Sequence, residues 1–270
     1  MPEKWRLIRG PLKGGAENMA MDEAILRSLE SKHTHMPALR IYGWKVPTIS
    51  IGFLQDASVF SASLLPVVRR ITGGRAVLHD MEVTYSIAAP SNHPLFSKGI
   101  TSAYSVISGA IVEALNDIGV PAYLSPYRGR KAEEKAHACF NSPSRHEVLV
   151  DGRKLAGSSQ RRLRNSFLQH GSILFGLDEE LHGRVFGSKT IEKMAWVAGV
   201  KDADADMEGF KRFLIGRMGQ RFDADFTPGE MTRREALIME GLVETRYLND
   251  GWNLRGAEKQ VIGERLSVNR

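Results

Sequence analysis

The pattern of apolar and polar positions divides this chain of 270 residues into a strand-rich part and a helix-rich part. Apolar residues at helical spacing predict helices over 18–30 and 101–118. Thr101 fits the N-cap of the second helix, and Gly119 fits its C-terminal stop. Short apolar or alternating runs between turn residues predict strands. They lie at 38–44, 48–52, 66–70, 71–80, 82–89 and 120–124.

Two β-hairpins are predicted next. The first turns at Asp151-Gly152, a pair that favours a type I′ turn, and the second turns near Arg164-Asn165. Beyond residue 176 the pattern becomes helical, and Thr232 and Glu235 fit a capping box. The order of elements therefore predicts an α+β core over about 1–175 and a helical segment over about 178–252, with a C-terminal tail over 253–270.

Composition is that of a globular protein, with 42% hydrophobic and 25% charged residues. The sequence shows neither a signal peptide nor an apolar run long enough to span a membrane, so we expect a cytoplasmic protein without a membrane segment. The net charge is +6. Its densest basic run, 161–164, contains no aromatic residue, and we do not expect nucleic-acid binding.

A single cysteine, Cys139, limits the chemistry further. It excludes an intramolecular disulfide and a multi-cysteine zinc site, and no other group of residues has metal-ligand spacing, so no metal is predicted. Cys139 is therefore either a small buried hydrophobe or a reactive thiol. Composition leaves both interpretations open.

Two glycine-containing segments could serve a ligand. Gly73-Gly74 would let a turn of the backbone approach a ligand closely, and the strand after it carries His79. Lys154 lies on a strand just past the first hairpin turn. Taken singly, these features fit a structural turn and a solvated strand lysine better than a functional site.

Four segments together change this interpretation. They are 70–80 (RITGGRAVLHD), 139–144 (CFNSPS), 152–160 (GRKLAGSSQ) and 168–174 (LQHGSIL). Their order resembles the biotin/lipoate protein ligase superfamily and, within it, the cysteine-dependent octanoyltransferases of lipoate synthesis. Arg75 stands where ATP-dependent lipoate ligases typically have a third glycine. The resemblance spans about 5–252 and implies one catalytic domain over 1–252, with a mixed β-sheet flanked by helices and a helical C-terminal segment.

The resemblance implies transfer of an octanoyl group from acyl carrier protein to a lysine of a lipoyl domain, such as the H protein of glycine cleavage. It implies Cys139 as the nucleophile that carries the acyl group as a thioester. Lys154 would lower the pKa of the thiol and polarise the thioester carbonyl. Because a thioester donor and an amide product make the transfer downhill, no cofactor is expected, neither ATP nor a metal.

The same resemblance implies that Arg70, Gly73, Gly74 and His79 bind the substrate. His170 is either a general base for the acceptor amine or a strand histidine held by hydrogen bonds, and both roles stay open. The positive net charge suits an acidic carrier protein as partner.

Three alternative functions remain. An ATP-dependent lipoate-protein ligase would need Lys154 and the glycine turn but could dispense with Cys139. A lipoyl-domain amidotransferase would use the same kind of thioester with a different donor. A non-enzymatic module that binds acyl chains or carrier proteins would need neither catalytic residue.

Overall fold

The chain is described here by a computed structural model that covers residues 1–60, 62–126 and 147–255. The strands are β1 (Glu3–Arg9), β2 (Ala38–Tyr42), β3 (Thr48–Ile51), β4 (Val67–Arg69), β5 (Val77–His79), β6 (Glu82–Pro90), β7 (Tyr123–Leu124), β8 (Val148–Val150), β9 (Arg153–Arg162), β10 (Ser166–Leu174) and β11 (Ala224–Gly229). The helices are α1 (Gly15–Glu30), α2 (Ile100–Asp117), α3 (Glu179–Phe186), α4 (Met207–Phe222), α5 (Arg233–Leu242) and α6 (Asp250–Asn253), joined by short 3₁₀ and π turns.

These strands form two sheets, a large mixed one and a small one. The large sheet has the order β11-β1-β2-β6-β10-β9-β8-β7, and the small sheet has the order β4-β3-β5. Strand β1 is parallel to both of its neighbours, whereas the other pairs in the large sheet are antiparallel. Helices α2 and α4 pack against each other over one face of the large sheet, and α1 and α5 cover the other face. The chain is thus α+β, with a mixed sheet flanked by helices, as the sequence predicts.

Strand β6 shows how the large sheet comes to have two different buried faces. Val83, Tyr85 and Ile87 belong to the apolar core under α2 and α4. Because side chains alternate along a strand, Thr84 and Ser86 point to the opposite side. Both are 3% exposed, so polar groups are buried on the side of α1 and the small sheet. The pocket considered below as the candidate site lies on this polar buried side.

Local turn chemistry predicted from the sequence is present. Asp151 and Gly152 have φ values of 49° and 74°, and the positive φ at both positions is what a type I′ turn requires. Thr232 caps the backbone N–H of Glu235, and the Glu235 side chain accepts a hydrogen bond from the backbone N–H of Thr232, so the capping box is confirmed.

Several assignments differ from the predictions: β1 was not predicted, α1 begins at Gly15, and β5 and β7 are shorter than the predicted strands. The helical segment over 178–252 contains β11, an edge strand that pairs with β1 and carries too few apolar residues to show a strand pattern. Gly99, not Thr101, is the N-cap of α2. Asn253, assigned to the tail, ends α6 and is buried, and its Oδ1 accepts a hydrogen bond from the backbone of Arg69.

The start of α5 is fastened to β1 by a buried ion pair. Arg6 donates two hydrogen bonds of 2.7 Å to Glu235, whose side chain is 0% exposed. Burial by itself would raise the pKa of Glu235, but the hydrogen bonds from Arg6 and from the backbone of Thr232 outweigh burial and lower it. The folded chain therefore holds this carboxyl as an anion.

We predict that Glu235→Gln lowers the free energy of unfolding by about 3 kcal/mol, because it leaves a guanidinium without its anionic partner. Since the pKa is lowered on folding, the stabilisation is fully present above the ordinary value of 4.5 and is lost as pH falls below it. Urea unfolding at pH 7 and at pH 4 measures both effects. Glu208→Gln is the control, because its exposed carboxylate contributes less than about 1 kcal/mol. Equal losses in the two variants would contradict the prediction.

The turn between β4 and β5, called the glycine turn below because it contains Gly73 and Gly74, contacts the residue that follows β3. A Cβ atom added to Gly52 would lie 1.9 Å from the carbonyl oxygen of Gly74, whereas a Cβ added to Gly73 meets nothing within 4 Å. Both sides of this contact are backbone atoms, at Gly52 and at Gly74, and backbone cannot move aside as easily as a flexible side chain.

We predict that Gly52→Ala lowers the free energy of unfolding by about 1–3 kcal/mol, because the added methyl group overpacks the contact. Gly73→Ala should change the free energy of unfolding little. Thermal or urea unfolding of both variants compares the same added methyl group at two neighbouring positions. Equal stability of the two variants would show that the turn can move away from β3.

Candidate active site

A pocket lies between α1, the small sheet and the middle of the large sheet. Together with the open solvent at its entrance, the pocket measures about 420 Å³. Its wall combines aromatic and aliphatic side chains, small polar side chains and three glycines. The lining residues are Met19, Tyr42, Trp44, Ser50, Arg70, Gly74, Val77, His79, Thr84, Gly157, Ser158, Ser159, His170, Gly171 and Ser172.

The pocket opens between the glycine turn and the middle of β9. Gly74 is exposed and Gly157, Ser158 and Ser159 are half-buried, whereas the other lining residues are buried. Gly74 has a φ of 94°, a conformation that glycine adopts without strain. A Cβ there would lie 4.0 Å from the Cβ of Ser159, so the turn and β9 come close together at the accessible edge of the pocket.

His79 forms part of the inner wall and is held by several partners. Its ring stacks on Trp44 with centroids 3.9 Å apart. Nε2 lies 2.7 Å from the hydroxyl of Ser50, and Nδ1 lies 2.7 Å from the carboxylate of Glu82. The same carboxylate oxygen accepts hydrogen bonds from Trp44 and from Ser172. His79 therefore lines the pocket in a fixed orientation, and its role in binding substrate stays a prediction.

Arg70 lines the pocket and also shapes its mouth. Its guanidinium donates hydrogen bonds to the carbonyl oxygens of Gly73 at 2.9 Å and Arg75 at 2.8 Å. It also donates to the carbonyl oxygen of Ser50 at 3.0 Å. Of the two predicted glycines, Gly74 lines the pocket, whereas Gly73 is exposed beside it. Arg70 thus fastens the glycine turn to the end of the small sheet.

A buried carboxylate, Asp22, lies beneath the pocket. One oxygen accepts hydrogen bonds from Arg40 at 2.8 Å and Ser86 at 2.7 Å, and the other accepts one from Tyr42 at 3.0 Å. Nδ1 of His170 lies 3.0 Å from that second oxygen. Burial opposes the charge of Asp22, but Arg40 and these hydrogen bonds outweigh it and lower the pKa.

His170 continues this network to the mouth. Its Nε2 lies 2.7 Å from the hydroxyl of Thr72, which lies 2.8 Å from the hydroxyl of Ser159. Burial lowers the pKa of His170 despite the nearby Asp22. The imidazole is therefore neutral at pH 7, and an unbroken chain of hydrogen bonds joins a buried anion to the pocket mouth.

Lys154 is buried, with 2% of its surface exposed, so the solvated strand lysine is the wrong interpretation. It lies three residues before Gly157 on β9, and its ammonium donates a hydrogen bond of 2.5 Å to Glu147. It lines a second cavity together with Arg153 and Lys193. Cys139 lies outside the described residues, so its distance from Lys154 stays a prediction.

The structure adds site residues that sequence reasoning missed, above all Asp22, Thr72 and Ser159. Asn18 and Asp22 are four residues apart in α1, so they lie on the same face of the helix among buried neighbours. Two polar residues at this spacing are the sequence signal that could have indicated a site. Thr72 and Ser159 lie within the 70–80 and 152–160 motifs, but nothing in the sequence singled them out there, because isolated hydroxyl residues are common in turns and strands.

Neither a metal site nor a membrane helix emerges from the described residues. Within 1–60, 62–126 and 147–255, no three His, Cys, Asp or Glu side chains are grouped so that they could hold a metal ion. In the same residues, no helix combines the length and the apolar character needed to cross a membrane.

Solved structures share this fold. The bipartite lipoate protein ligase of Thermoplasma acidophilum superposes with a TM-score of 0.75 at 22% identity, covering 93% of this chain and 96% of its own. A lipoate-protein ligase A bound with ATP superposes with a TM-score of 0.77, also at 22% identity, covering 94% and 98%. At this level of identity the similarity confirms the predicted catalytic-domain fold and nothing more.

Sequence comparison identifies the family. The family profile "Lipoyl protein ligase A/B catalytic domain" matches residues 15–217. The octanoyltransferase LipM of Kyrpidia tusciae is 39% identical over 274 residues, covering 94% of this chain and 99% of the relative. The LipM of Bacillus subtilis is 35% identical over 275 residues, with the same coverage. The chain therefore belongs to the lipoyl protein ligase A/B catalytic-domain family, as its four sequence motifs predict.

Proposed function

We propose that this chain is an octanoyltransferase of lipoate biosynthesis. Its similarity to LipM octanoyltransferases over 94% of its length carries this proposal. Octanoyl carrier protein is the proposed donor, and a lysine of a lipoyl domain, such as the glycine cleavage H protein, is the proposed acceptor. The reaction exchanges a thioester for an amide, so it needs no ATP.

The pocket supports this function because it can separate the alkyl chain from the reacting carbonyl. Met19, Trp44 and Val77 offer apolar surface inside, while the mouth at Gly74 and Ser159 is accessible. A donor and an acceptor carried by other proteins must both approach from solvent. The octanoyl chain would therefore extend inward, and the carbonyl would remain at the mouth.

We assign the charge that thioester chemistry needs to Lys154, which lies three residues before the pocket residue Gly157 on β9. Its ammonium has three donors, and Glu147 accepts from one of them and orients the group. A nearby positive charge favours a thiolate over a thiol, and it also favours the oxyanion that forms when a nucleophile attacks the carbonyl. We assign these two effects to Lys154 and the nucleophilic attack to Cys139.

We predict an octanoyl adduct on Cys139 after incubation with octanoyl carrier protein without ATP, because a thiolate exchanges readily with a thioester. Intact mass measures the adduct, and transfer to a lipoyl domain measures the full reaction. Cys139→Ala should lose both. Full activity of Cys139→Ala, or a requirement for ATP, would instead indicate a lipoate ligase. An adduct formed from an octanoylated lipoyl domain but not from the carrier protein would indicate an amidotransferase.

We predict that Lys154→Met slows formation of the acyl-enzyme about 100-fold or more. Because Cys139 is the single cysteine, the pH dependence of its alkylation by iodoacetamide reports the thiol directly. Loss of the ammonium should move that profile to higher pH. Lys189→Met, at an exposed position, is the control for removal of a lysine. An unchanged alkylation profile in folded Lys154→Met would contradict the role assigned to this ammonium.

A further inference from the structure

We propose that the hydroxyl of Ser159 takes the proton from the acceptor amine and passes it through Thr72 to His170. The proposal rests on the octanoyl transfer proposed above and concerns its second half, in which the lysine resolves the acyl-enzyme. The four residues involved, Asp22, His170, Thr72 and Ser159, belong to four separate elements: α1, β10, the glycine turn and β9.

The direction of each hydrogen bond follows from the partners. A carboxylate only accepts, so Nδ1 of His170 must donate to Asp22. In a neutral imidazole this leaves Nε2 as an acceptor, and the Thr72 hydroxyl donates to it. Thr72 then accepts from the hydroxyl of Ser159. Within the part of the chain that the structure describes, the Ser159 hydroxyl accepts no hydrogen bond in this arrangement, so its lone pairs can accept from an incoming N–H group.

The position of Ser159 suits this role. Ser159 lines the pocket at its mouth, across from Gly74, where the carbonyl of an acyl group inside the pocket would lie. An acceptor lysine that reaches this carbonyl from solvent passes close to Ser159. By contrast, Thr72 and His170 are buried, with 0% and 6% of their surfaces exposed, so a proton can reach the imidazole through the hydroxyls without opening the fold.

The atoms and protons of this step balance without an added reactant. The lysine arrives as the free amine after it has lost one proton to solvent, and its nitrogen forms a C–N bond to the thioester carbonyl. The nitrogen then gives a proton to Ser159, as the proton of Ser159 moves to Thr72 and that of Thr72 moves to Nε2 of His170. The C–S bond breaks, the thiolate leaves, and the proton returns through the same hydroxyls to the thiolate.

The groups around His170 keep its imidazole neutral at rest but can stabilise a proton that it holds briefly during the reaction. Burial keeps the pKa of the imidazole low, and Arg70 and His79 add repulsion to a positive charge there. Asp22 has the opposite effect, because its carboxylate faces Nδ1 and stabilises the imidazolium once it forms. Arg40 in turn holds Asp22 in the anionic form.

The test separates the two half-reactions. Octanoyl-enzyme is formed first and isolated, and its discharge is then timed with a lipoyl domain and with hydroxylamine. Hydroxylamine is unprotonated at neutral pH and attacks thioesters without a base. We expect Ser159→Ala to slow discharge by the lipoyl domain about 100-fold, while acylation and discharge by hydroxylamine stay within about twofold. Thr72→Val should behave like Ser159→Ala, and Thr72→Ser should recover most of the lost rate.

Ser91→Ala is the matched control, because the Ser91 hydroxyl donates a hydrogen bond to the backbone carbonyl of Arg164 at the far end of the hairpin. Unchanged discharge of Ser159→Ala by the lipoyl domain would overturn the relay alone. Equal slowing with both nucleophiles would also overturn it, since a distorted mouth would then explain the loss. Failure of the unmodified enzyme to form an adduct would overturn the proposed function, and the relay with it.

Discussion

The carboxylate of Asp22 is the interaction on which the polar side of this molecule depends. It joins α1 to three adjacent strands of the large sheet, through Arg40 and Tyr42 on β2, Ser86 on β6 and His170 on β10. A charge without partners would be costly at this depth, and the four hydrogen bonds together with the guanidinium of Arg40 offset that cost. Because the same carboxylate fixes the orientation of His170, the packing of α1 and the chemistry of the pocket are set by one group.

The pocket exists because the large sheet buries two faces of different character. Toward α2 and α4, β6 and β10 contribute close-packed apolar side chains. Toward the small sheet they contribute the short polar side chains of Thr84 and Ser172, which leave space that larger residues would fill. Backbone contact between Gly52 and the glycine turn then sets where that space opens. In the proposed reaction, an acyl chain would thus be enclosed in the interior while its carbonyl stays within reach of other proteins.

The candidate site could be predicted in part from the sequence. Arg70, Gly74, His79 and His170 do line one pocket, whereas Lys154 is buried on β9 and lines a second cavity. Their individual roles could not be predicted, because each depends on a partner distant in sequence. Arg70 holds the carbonyl oxygens of the glycine turn, and His170 bridges Asp22 and Thr72, which are 148 and 98 residues away from it.

Local patterns determined the helices, the hairpin at Asp151-Gly152 and the capping box at Thr232, since each depends on residues within one or two turns of the chain. The order of four motifs also determined the family, which the comparisons confirm. Only the tertiary structure decided that β11 joins the sheet beside β1, that Lys154 is buried and that Ser159 connects to Asp22. These facts arise from contacts between segments far apart in sequence, where burial and hydrogen-bond partners are properties of the assembled fold.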